Sequence, residues 1–270
     1  MGMVTTDDGP RPLLGEERRR RIARALARQG AVQVTWLSRD LGCSEATLRR
    51  DLQRMEDDGL LRRTHGGAVV DATDSGVATE PSLRDKAVLR AAEKQAIATA
   101  AARLIAPGDV VALNGGTTTV EVARRLRDHA PESLRVLTNS VGVAVELADV
   151  PGMDVMLTGG SLRGSLELSG PLAEQSLRDL YVDTAFIGVD GLTVEHGLTT
   201  YNQAEAYINR AMMGRARRVV VVADHTKIGR VTMALIAPAR AMAVLVTDAL
   251  AAPDELAGFR AAGVEVIVAP

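Results

Sequence analysis

The sequence predicts an α/β fold with a mostly parallel β-sheet, preceded by a small N-terminal winged helix-turn-helix domain. From Val110 onward, short runs that are apolar throughout alternate with helical segments, which is typical of parallel strands covered on both faces. Before residue 71, three short amphipathic segments precede a Gly-Gly turn between two strand-like segments. We therefore expect a disordered leader over 1–14, the winged domain over 15–70, a linker over 71–82 and a larger domain over 83–270.

The third amphipathic segment of the N-terminal domain has a face suited to nucleic acid. Ser44 can cap its first turn, and Leu48, Leu52 and Met55 form one apolar stripe. The opposite side carries guanidinium, amide and hydroxyl groups, which suit base edges and phosphates. A solvated basic face would explain one such helix alone, but the preceding stripes (Ile22, Ala23 and Leu26; Val34, Leu37 and Leu41) and the hairpin favour DNA binding. The predicted DNA-binding residues are Ser44, Glu45, Thr47, Arg49, Arg50, Gln53 and Arg54 on the helix, and Arg62, Arg63 and His65 on the hairpin.

Composition narrows the class of protein. Hydrophobic residues at 46% and charged residues at 24% are normal for a soluble globular chain of 270 residues. No run of about 18 apolar residues occurs and the N-terminus is acidic, so we expect a cytoplasmic protein without membrane contact. A single cysteine, Cys43, excludes an internal disulfide and a cysteine-cluster metal site, and no metal or cofactor is predicted.

Charge and the choice of basic residue add two observations. Up to Val70 there are 13 arginines against 10 acidic residues, whereas the whole chain has a net charge of −2. This excess is modest, so DNA affinity must depend on where the arginines lie. The chain has 29 arginines but only three lysines, Lys86, Lys94 and Lys227. A lysine in such a chain indicates a place where a compact ammonium group is needed.

The larger domain is predicted to begin with one long helix over 83–106, ended by Pro107-Gly108. The first strand after it leads into Asn114-Gly115-Gly116-Thr117-Thr118-Thr119 and then a helix. Two glycines let backbone N–H groups approach an anion, and three hydroxyls add donors at a positive helix terminus, so this loop predicts a phosphate site. The nucleotide P-loop and the dinucleotide G-x-G-x-x-G pattern are both absent. A plain turn with a threonine cap is the alternative.

Small and polar residues recur at the following strand ends. Because ligands bind outside the carboxyl ends of parallel strands, five such loops together favour a pocket. Within it, Arg163 and Lys227 could neutralise a phosphate, while Asn139, Asp190 and Glu205 could accept hydrogen bonds from sugar hydroxyls. The predicted effector-binding residues are Asn114, Gly115, Gly116, Thr117, Thr118, Thr119, Thr138, Asn139, Gly159, Gly160, Arg163, Asp190, Thr199, Glu205 and Lys227. No catalytic residue is predicted.

Several motifs resemble the DeoR (deoxyribose operon repressor) family of bacterial transcriptional regulators along nearly the whole chain. They are Cys43 to Leu52, Arg63 to Ala68, Glu93-Lys94, Gly116 to Thr119, Thr138-Asn139-Ser140, Gly159-Gly160, Phe186-Ile187-Gly188, Gly197-Leu198-Thr199, Glu205-Ala206 and Asp224 with Lys227. The resemblance implies a sugar-phosphate sensor domain of the ribose-5-phosphate-isomerase/CoA-transferase-like type. This chain departs from the family pattern at Ile208-Asn209-Arg210 and at His225-Thr226, which weakens any transfer of ligand identity.

We expect a DNA-binding regulator, a repressor of a carbohydrate-metabolism operon that leaves double-stranded operator DNA when a phosphorylated sugar binds. Reading two half-sites requires a homo-oligomer, either a dimer or a tetramer. One alternative is a sugar-phosphate isomerase with an attached DNA-binding module, which would need two carboxylates at the reacting carbons, where Asp190 has none immediately beside it. Another is a DNA-architectural protein that binds no phosphorylated sugar.

Overall fold

The computed structural model describes residues 15–29, 31–57, 61–64, 66–69, 83–129 and 133–270. These residues form two compact units, divided near residue 76. The predicted leader over 1–14 and the predicted linker over 71–82 lie outside the described residues.

The N-terminal unit contains three helices and a small antiparallel sheet. In chain order its elements are α1 (Gly15–Gln29), β1 (Ala31–Gln33), α2 (Val34–Leu41), α3 (Glu45–Asp57), β2 (Arg62–Thr64) and β3 (Gly67–Val69). The predicted stripes of the second and third helices are buried in one core, together with Ile22 and Leu26 of the first. Ala23 is exposed, so its assignment to the α1 stripe was wrong.

A third strand, β1, completes the wing. The strand order is β1-β3-β2, with antiparallel pairing throughout. Gly67 pairs with Gln33 at the point where β1 meets α2, and a side chain at Gly67 would collide with the carbonyl group of Val32. The Gly-Gly turn therefore serves close packing of the hairpin against β1 as well as the turn itself.

A buried ion pair holds α1 against α3. Arg18 Nε lies 2.5 Å from Asp51 Oδ2, and Arg19 Nη1 lies 3.6 Å from Asp51 Oδ1. The Asp51 side chain is only 5% exposed, so its charge needs these partners. Two of the four consecutive arginines at residues 18–21 therefore interact with Asp51.

The larger unit is built on a seven-stranded parallel sheet. In chain order its elements are α4 (Leu83–Val88), α5 (Ala91–Ala102), β4 (Val110–Leu113), α6 (Thr117–Asp128), β5 (Arg135–Thr138), α7 (Val141–Leu147), β6 (Asp154–Leu157), β7 (Ser161–Leu162), β8 (Leu168–Ser169), α8 (Pro171–Leu177), β9 (Val182–Gly188), β10 (Gly191–Thr193), β11 (Gly197–Thr200), α9 (Gln203–Met213), β12 (Ala216–Val222), β13 (Ala234–Ala237), β14 (Val244–Asp248), α10 (Pro253–Ala261) and β15 (Glu265–Ala269). The order is β15-β14-β12-β9-β4-β5-β6, and every pairing in it is parallel.

Each face of this sheet has its own hydrophobic core. Alternate side chains of a strand enter different cores: Val220 packs with α5, α6 and α7, whereas Val221 packs with α8, α9 and α10. Burial on both faces explains why the strands are apolar throughout and confirms the predicted parallel sheet. No described helix combines the length and apolar character needed to cross a bilayer.

The prediction of one long helix over 83–106 was wrong. It is divided into α4 and α5 because Arg90 adopts a left-handed conformation, with φ of 58°. The ammonium group of Lys94 donates hydrogen bonds to the carbonyl oxygens of Lys86 and Leu89, the latter at 2.6 Å. Carbonyl groups at the end of α4 are thereby satisfied by a side chain instead of by a continuing helix.

Two small antiparallel sheets lie outside the predicted elements. One is the hairpin of β7 and β8, and the other joins β10, β11 and β13. Both follow directly from loops at the carboxyl ends of strands of the large sheet, where the pocket is predicted.

Candidate functional site

The α3 helix presents the predicted DNA-binding face to solvent. The Ser44 hydroxyl accepts a hydrogen bond from the Thr47 backbone N–H at 3.2 Å, so Ser44 begins the helix as expected. Arg50 and Arg54 are exposed on the side away from the Leu48, Leu52 and Met55 stripe. The polar face and the buried face are therefore separated as the amphipathic pattern predicts.

Other members of the face contact each other. Arg49 forms an ion pair with Glu45 one turn earlier, with Nη2 and Oε2 3.3 Å apart. Arg63 of the wing donates to the Gln53 side chain, and its backbone N–H donates to Glu56 Oε1 at 2.7 Å. These contacts position the wing against α3. The side chain of Arg62 and all of His65 lie outside the described residues.

In the larger unit, the loops at the ends of β4, β5 and β9 lie side by side at the carboxyl edge of the sheet, where the sequence predicts the pocket. The Asn114 side chain joins two of them, because its Nδ2 donates to the Gly188 carbonyl at 3.0 Å and its Oδ1 accepts from the Gly188 N–H at 2.8 Å. The Thr138 hydroxyl likewise donates to the Leu113 carbonyl at 2.6 Å. Both side chains are buried and hold the loops together, whereas the sequence assigned them to the ligand.

Two further predicted ligand residues are engaged within the protein. The Thr119 hydroxyl donates to the Gly116 carbonyl at 3.0 Å. Thr199 donates to the Gly191 carbonyl at 3.2 Å and accepts from the Thr232 N–H at 3.0 Å. These internal hydrogen bonds explain why a hydroxyl group occurs at each position. The sequence alone could not distinguish such a bond from a contact with a ligand.

The N-terminus of α6 retains free donors. The first backbone N–H of α6 to bond within the helix is that of Val120, which donates to the Gly116 carbonyl at 3.1 Å. Thr117 and Thr118 have hydroxyl groups without a hydrogen-bond partner among the described residues, and no side chain caps this helix. Unpaired N–H groups, two hydroxyl groups and the positive end of the helix dipole thus occur at the same helix terminus, which suits an anion.

Two lysines supply positive charge near Asp224. Lys94 is only 3% exposed, and burial lowers the pKa of its ammonium group from 10.5 to about 8, against the opposing effect of Asp224. Burial also lowers the pKa of Lys227, again opposed first by Asp224. Lys227 disfavours the charge of Lys94, and Lys86 and Arg230 disfavour the charge of Lys227, so an additional anion would stabilise both lysines in their charged forms.

Acidic and hydroxyl groups form a hydrogen-bonded chain across the pocket. It begins with the ion pair between Lys86 Nζ and Asp190 Oδ1, at 2.9 Å. The Thr200 hydroxyl lies 3.0 Å from Asp190 Oδ2 and 3.3 Å from Glu205 Oε2. Ser165 donates to Glu205 Oε1 at 2.6 Å. The structure therefore brings Asp190 and Glu205 together. Both carboxylates bond to side-chain hydroxyl groups, and the hydroxyl groups of a ligand could take the same positions.

Glu167 is buried in this pocket, and sequence reasoning missed it. Its carboxylate accepts from Asn139 Nδ2 at 3.2 Å, and its side chain fills the space where a Gly115 side chain would lie. Gly115 is thus required because Glu167 packs against its backbone, which differs from the predicted reason for that glycine. Burial, followed by the charge of Glu205, raises the pKa of Glu167 from 4.5 to about 8.

The remaining predicted residues lie around the β7–β8 hairpin. Gly160 has φ of 121°, and a side chain there would collide with the Ser169 backbone, so it is a packing position. The backbone N–H of Gly159 donates to the Ser176 hydroxyl at 3.2 Å. Arg163 is exposed and its backbone N–H donates to the Glu167 carbonyl at 2.9 Å. No contact among the described residues places the Arg163 guanidinium with the lysines.

The three lysines of the chain interact electrostatically, since Lys227 lowers the pKa of Lys94 and Lys86 lowers that of Lys227. Lys86 and Lys94 were not included among the predicted ligand residues, although their rarity was a usable sign. Asp224 could have been found from its spacing to Lys227. Glu167 could not, because the sequence shows it only as one acidic residue in a loop.

Two family models match this chain. The DeoR-like helix-turn-helix domain matches residues 18–74, and the DeoR C terminal sensor domain matches residues 89–249. The chain belongs to the DeoR family. Its α3 helix and wing are accordingly the DNA-binding part of a transcriptional regulator, and the larger unit is a DeoR sensor domain.

Proteins that are similar to this chain over most of their length are named as transcriptional regulators. The "Putative aga operon transcriptional repressor" of Escherichia coli O157:H7 is 40% identical over 98% of this chain and 99% of its own. The "HTH-type transcriptional regulator GlpR" of Haloferax volcanii is 39% identical over 94% and 98%, and the "Transcriptional repressor AccR" of Agrobacterium fabrum is 35% identical over 86% and 89%. These relatives confirm the prediction of a DNA-binding DeoR regulator over that of an isomerase.

Solved structures are similar only at a low level. Ribose 5-phosphate isomerase A from Methanocaldococcus jannaschii has a TM-score of 0.39 and 18% identity over 51% of this chain and 54% of its own. The eIF2B delta chain from Chaetomium thermophilum has a TM-score of 0.38 and 15% identity over 79% and 64%. The parallel sheet of the DeoR sensor domain is established by its own strands, whereas the finer isomerase-type assignment stays a prediction.

Proposed function

We propose that this DeoR regulator represses a carbohydrate-metabolism operon and releases its operator when a phosphorylated sugar binds the sensor domain. The phosphate would bind at the N-terminus of α6, and the sugar would contact Asp190, Thr200 and Glu205. The observation that carries this proposal is the convergence of Thr117, Thr118 and the free N–H groups of α6 at the carboxyl end of the sheet. The relatives are consistent with it, since three are named as repressors or regulators.

The pocket has both kinds of group that such a ligand requires. Lys94 and Lys227 are partly or fully buried ammonium groups whose charge an anion would stabilise. The Lys86–Asp190–Thr200–Glu205 chain offers acceptors for hydroxyl groups. Control of DNA binding requires a coupling free energy of only about 1–3 kcal/mol between this pocket and the DNA-competent state.

A thermal-shift screen of triose, pentose and hexose phosphates tests the ligand class. At roughly 100 times its dissociation constant, a ligand should add about 2.7 kcal/mol to the free energy of unfolding. The double variant Thr118→Val, Lys227→Ala should lose this stabilisation, because it removes a hydroxyl donor and an ammonium group from the anion site. The same variant should still bind operator DNA, but the sugar phosphate should no longer release it.

The matched control is Thr99→Val, Arg240→Ala. It removes a threonine hydroxyl and a positive charge from the sensor domain. Among the described residues the Thr99 hydroxyl donates to the Gln95 carbonyl, and Arg240 is exposed. This control should keep the full thermal shift. Equal stabilisation of the site variant and the control would refute the proposed anion site, and the lack of any shift with every sugar phosphate would refute the ligand class.

We further propose that the regulator acts as a homo-oligomer. One α3 helix reads one half-site, and two half-sites about 34 Å apart, or a multiple of that distance, require two DNA-binding units. Light scattering after size-exclusion chromatography should therefore give at least twice the chain mass of 28.6 kDa. A monomer at the concentration that saturates operator DNA would contradict this proposal.

A further inference from the structure

The packing of Glu167 against Gly115 is a second feature of the pocket. Glu167 is 5% exposed and follows Leu166, whose left-handed φ of 59° turns the β7–β8 hairpin back toward the sheet. The Leu166 carbonyl accepts from the Val141 N–H at 3.0 Å, and the Leu168 N–H donates to the Asn139 carbonyl at 2.7 Å. Backbone bonds on both sides therefore hold Glu167 against Gly115, in the loop that precedes α6.

The charged groups around this carboxylate are mainly acidic. Glu205 on α9 and Asp190 after β9 both disfavour its ionisation, while Lys86 on α4 and the Asn139 amide group favour it. Lys86 is already paired with Asp190. Lys94 and Lys227 interact first with Asp224, and neither is among the charges that shift the pKa of Glu167. Glu167 thus lacks a dedicated cation among the described residues.

An unsatisfied acceptor lies next to Glu167. Asn139 is fully buried, its Nδ2 faces Glu167 Oε2 at 3.2 Å and the Leu168 carbonyl at 3.2 Å, and its Oδ1 has no hydrogen-bond partner among the described residues. A buried acceptor without a donor is costly, so a donor is expected to reach it when the pocket is filled. The space beside Asn139 Oδ1 and Glu167 therefore favours hydrogen-bond donors over negatively charged groups.

We propose that Glu167 is part of the phosphate subsite and admits the effector's anionic group only when its own carboxyl group is protonated. This inference rests on the proposed function, since it assumes that an anion binds at α6. A neutral Glu167 can donate a hydrogen bond within the filled site, whereas an ionised Glu167 would add a further negative charge beside Glu205 and the ligand. Above the pKa of Glu167, each anion bound is thus accompanied by one proton taken up at its carboxylate.

The linkage predicts the direction of the effect with pH. Burial and Glu205 raise the pKa of Glu167 to about 8, so its neutral form dominates below that pH and its ionised form above it. Anion affinity should therefore decrease as pH rises through 8. Lys94, whose pKa is also about 8, loses its charge over the same range, and burial lowers the pKa of Lys227 as well. The contribution of Glu167 must therefore be isolated by comparing proteins that share both lysines.

Titration calorimetry with inorganic sulfate on the full chain makes that comparison, because sulfate stays a dianion from pH 7 to pH 9. Glu167→Gln keeps the shape and the neutral charge of the protonated side chain. We expect it to bind sulfate about as tightly as the natural protein at pH 7 and about tenfold more tightly at pH 9. Glu174→Gln, at an exposed position on α8, is the matched control and should follow the natural protein at both pH values.

Two results would overturn the inference. An affinity ratio between Glu167→Gln and the natural protein that is the same at pH 7 and pH 9 would do so and leave the proposed function standing. So would a binding enthalpy at pH 9, in the natural protein, that does not vary with the ionisation enthalpy of the buffer, a measurement that needs no variant. If neither sulfate nor any sugar phosphate bound at any pH, the proposed function would be refuted as well.

Discussion

Arg50→Ala is expected to abolish specific operator binding while leaving the sugar-phosphate thermal shift unchanged. Arg50 is exposed on α3, opposite the buried stripe that includes Leu48 and Leu52. A bidentate arginine–guanine contact contributes about 1–3 kcal/mol of discrimination, and a dimer loses it at both half-sites. A loss of roughly 2–6 kcal/mol corresponds to a decrease in specific affinity of about 30-fold to more than 10,000-fold. Fluorescence anisotropy with operator duplex at fixed salt measures this decrease.

The control for this experiment is Arg240→Ala in the sensor domain. It removes the same charge from an exposed arginine that lies outside the DNA-binding unit, so operator affinity should stay within about twofold of the natural protein. Binding of unrelated duplex should weaken only slightly in Arg50→Ala, because non-specific affinity depends on the total of phosphate contacts. If Arg50→Ala weakened operator and unrelated duplex equally, Arg50 would be a backbone contact and not a base-reading residue.

The N-terminal unit could be predicted from sequence because its apolar stripes have a helical period and its turn residues are distinctive. Leu48, Leu52 and Met55 are buried as predicted, and the hairpin lies where the Gly-Gly turn indicated. The ion pair of Arg18 with Asp51 could not be predicted, because an acidic residue within a basic helix gives no sign of burial. Side-chain pairing between helices depends on their packing, which the sequence pattern does not specify.

In the pocket, too, some features could be predicted from the sequence and others could not. Small and polar residues at strand ends indicated loops that the structure brings to one edge of the sheet, since parallel strands have their carboxyl ends on the same side. The pattern did not separate hydroxyl and amide groups that hold the loops together, such as Asn114 and Thr138, from those that remain available, such as Thr118. Glu167 depends on a hairpin that only the folded chain forms, so no local pattern indicated it.

The free energy of unfolding should have an unusual dependence on pH because of Glu167 and Lys94. The pKa of Glu167 is about 8 in the folded chain, against 4.5 for an ordinary glutamate, so the folded state binds more protons than the unfolded state between these values. The contribution of Glu167 to the free energy of unfolding is therefore complete below pH 4.5 and is lost as the pH rises to 8. Since one pKa unit corresponds to about 1.4 kcal/mol, and Glu205 shares the shift, we expect a loss on the order of 3 kcal/mol.

Lys94 acts in the opposite direction at higher pH. Its pKa of about 8 in the folded chain lies below its ordinary value of 10.5, so the unfolded state binds more protons between these values and stability rises with pH.

Urea unfolding of the full chain from pH 5 to pH 10 tests both effects. Each effect is measured as a difference between the natural protein and a variant, which cancels the contribution of the groups that the two proteins share. Relative to Glu167→Gln, the natural protein should lose stability up to pH 8. Relative to Lys94→Met, it should regain stability above pH 8. Parallel curves for the natural protein and Glu167→Gln would show that Glu167 is not held in a buried, acidic environment.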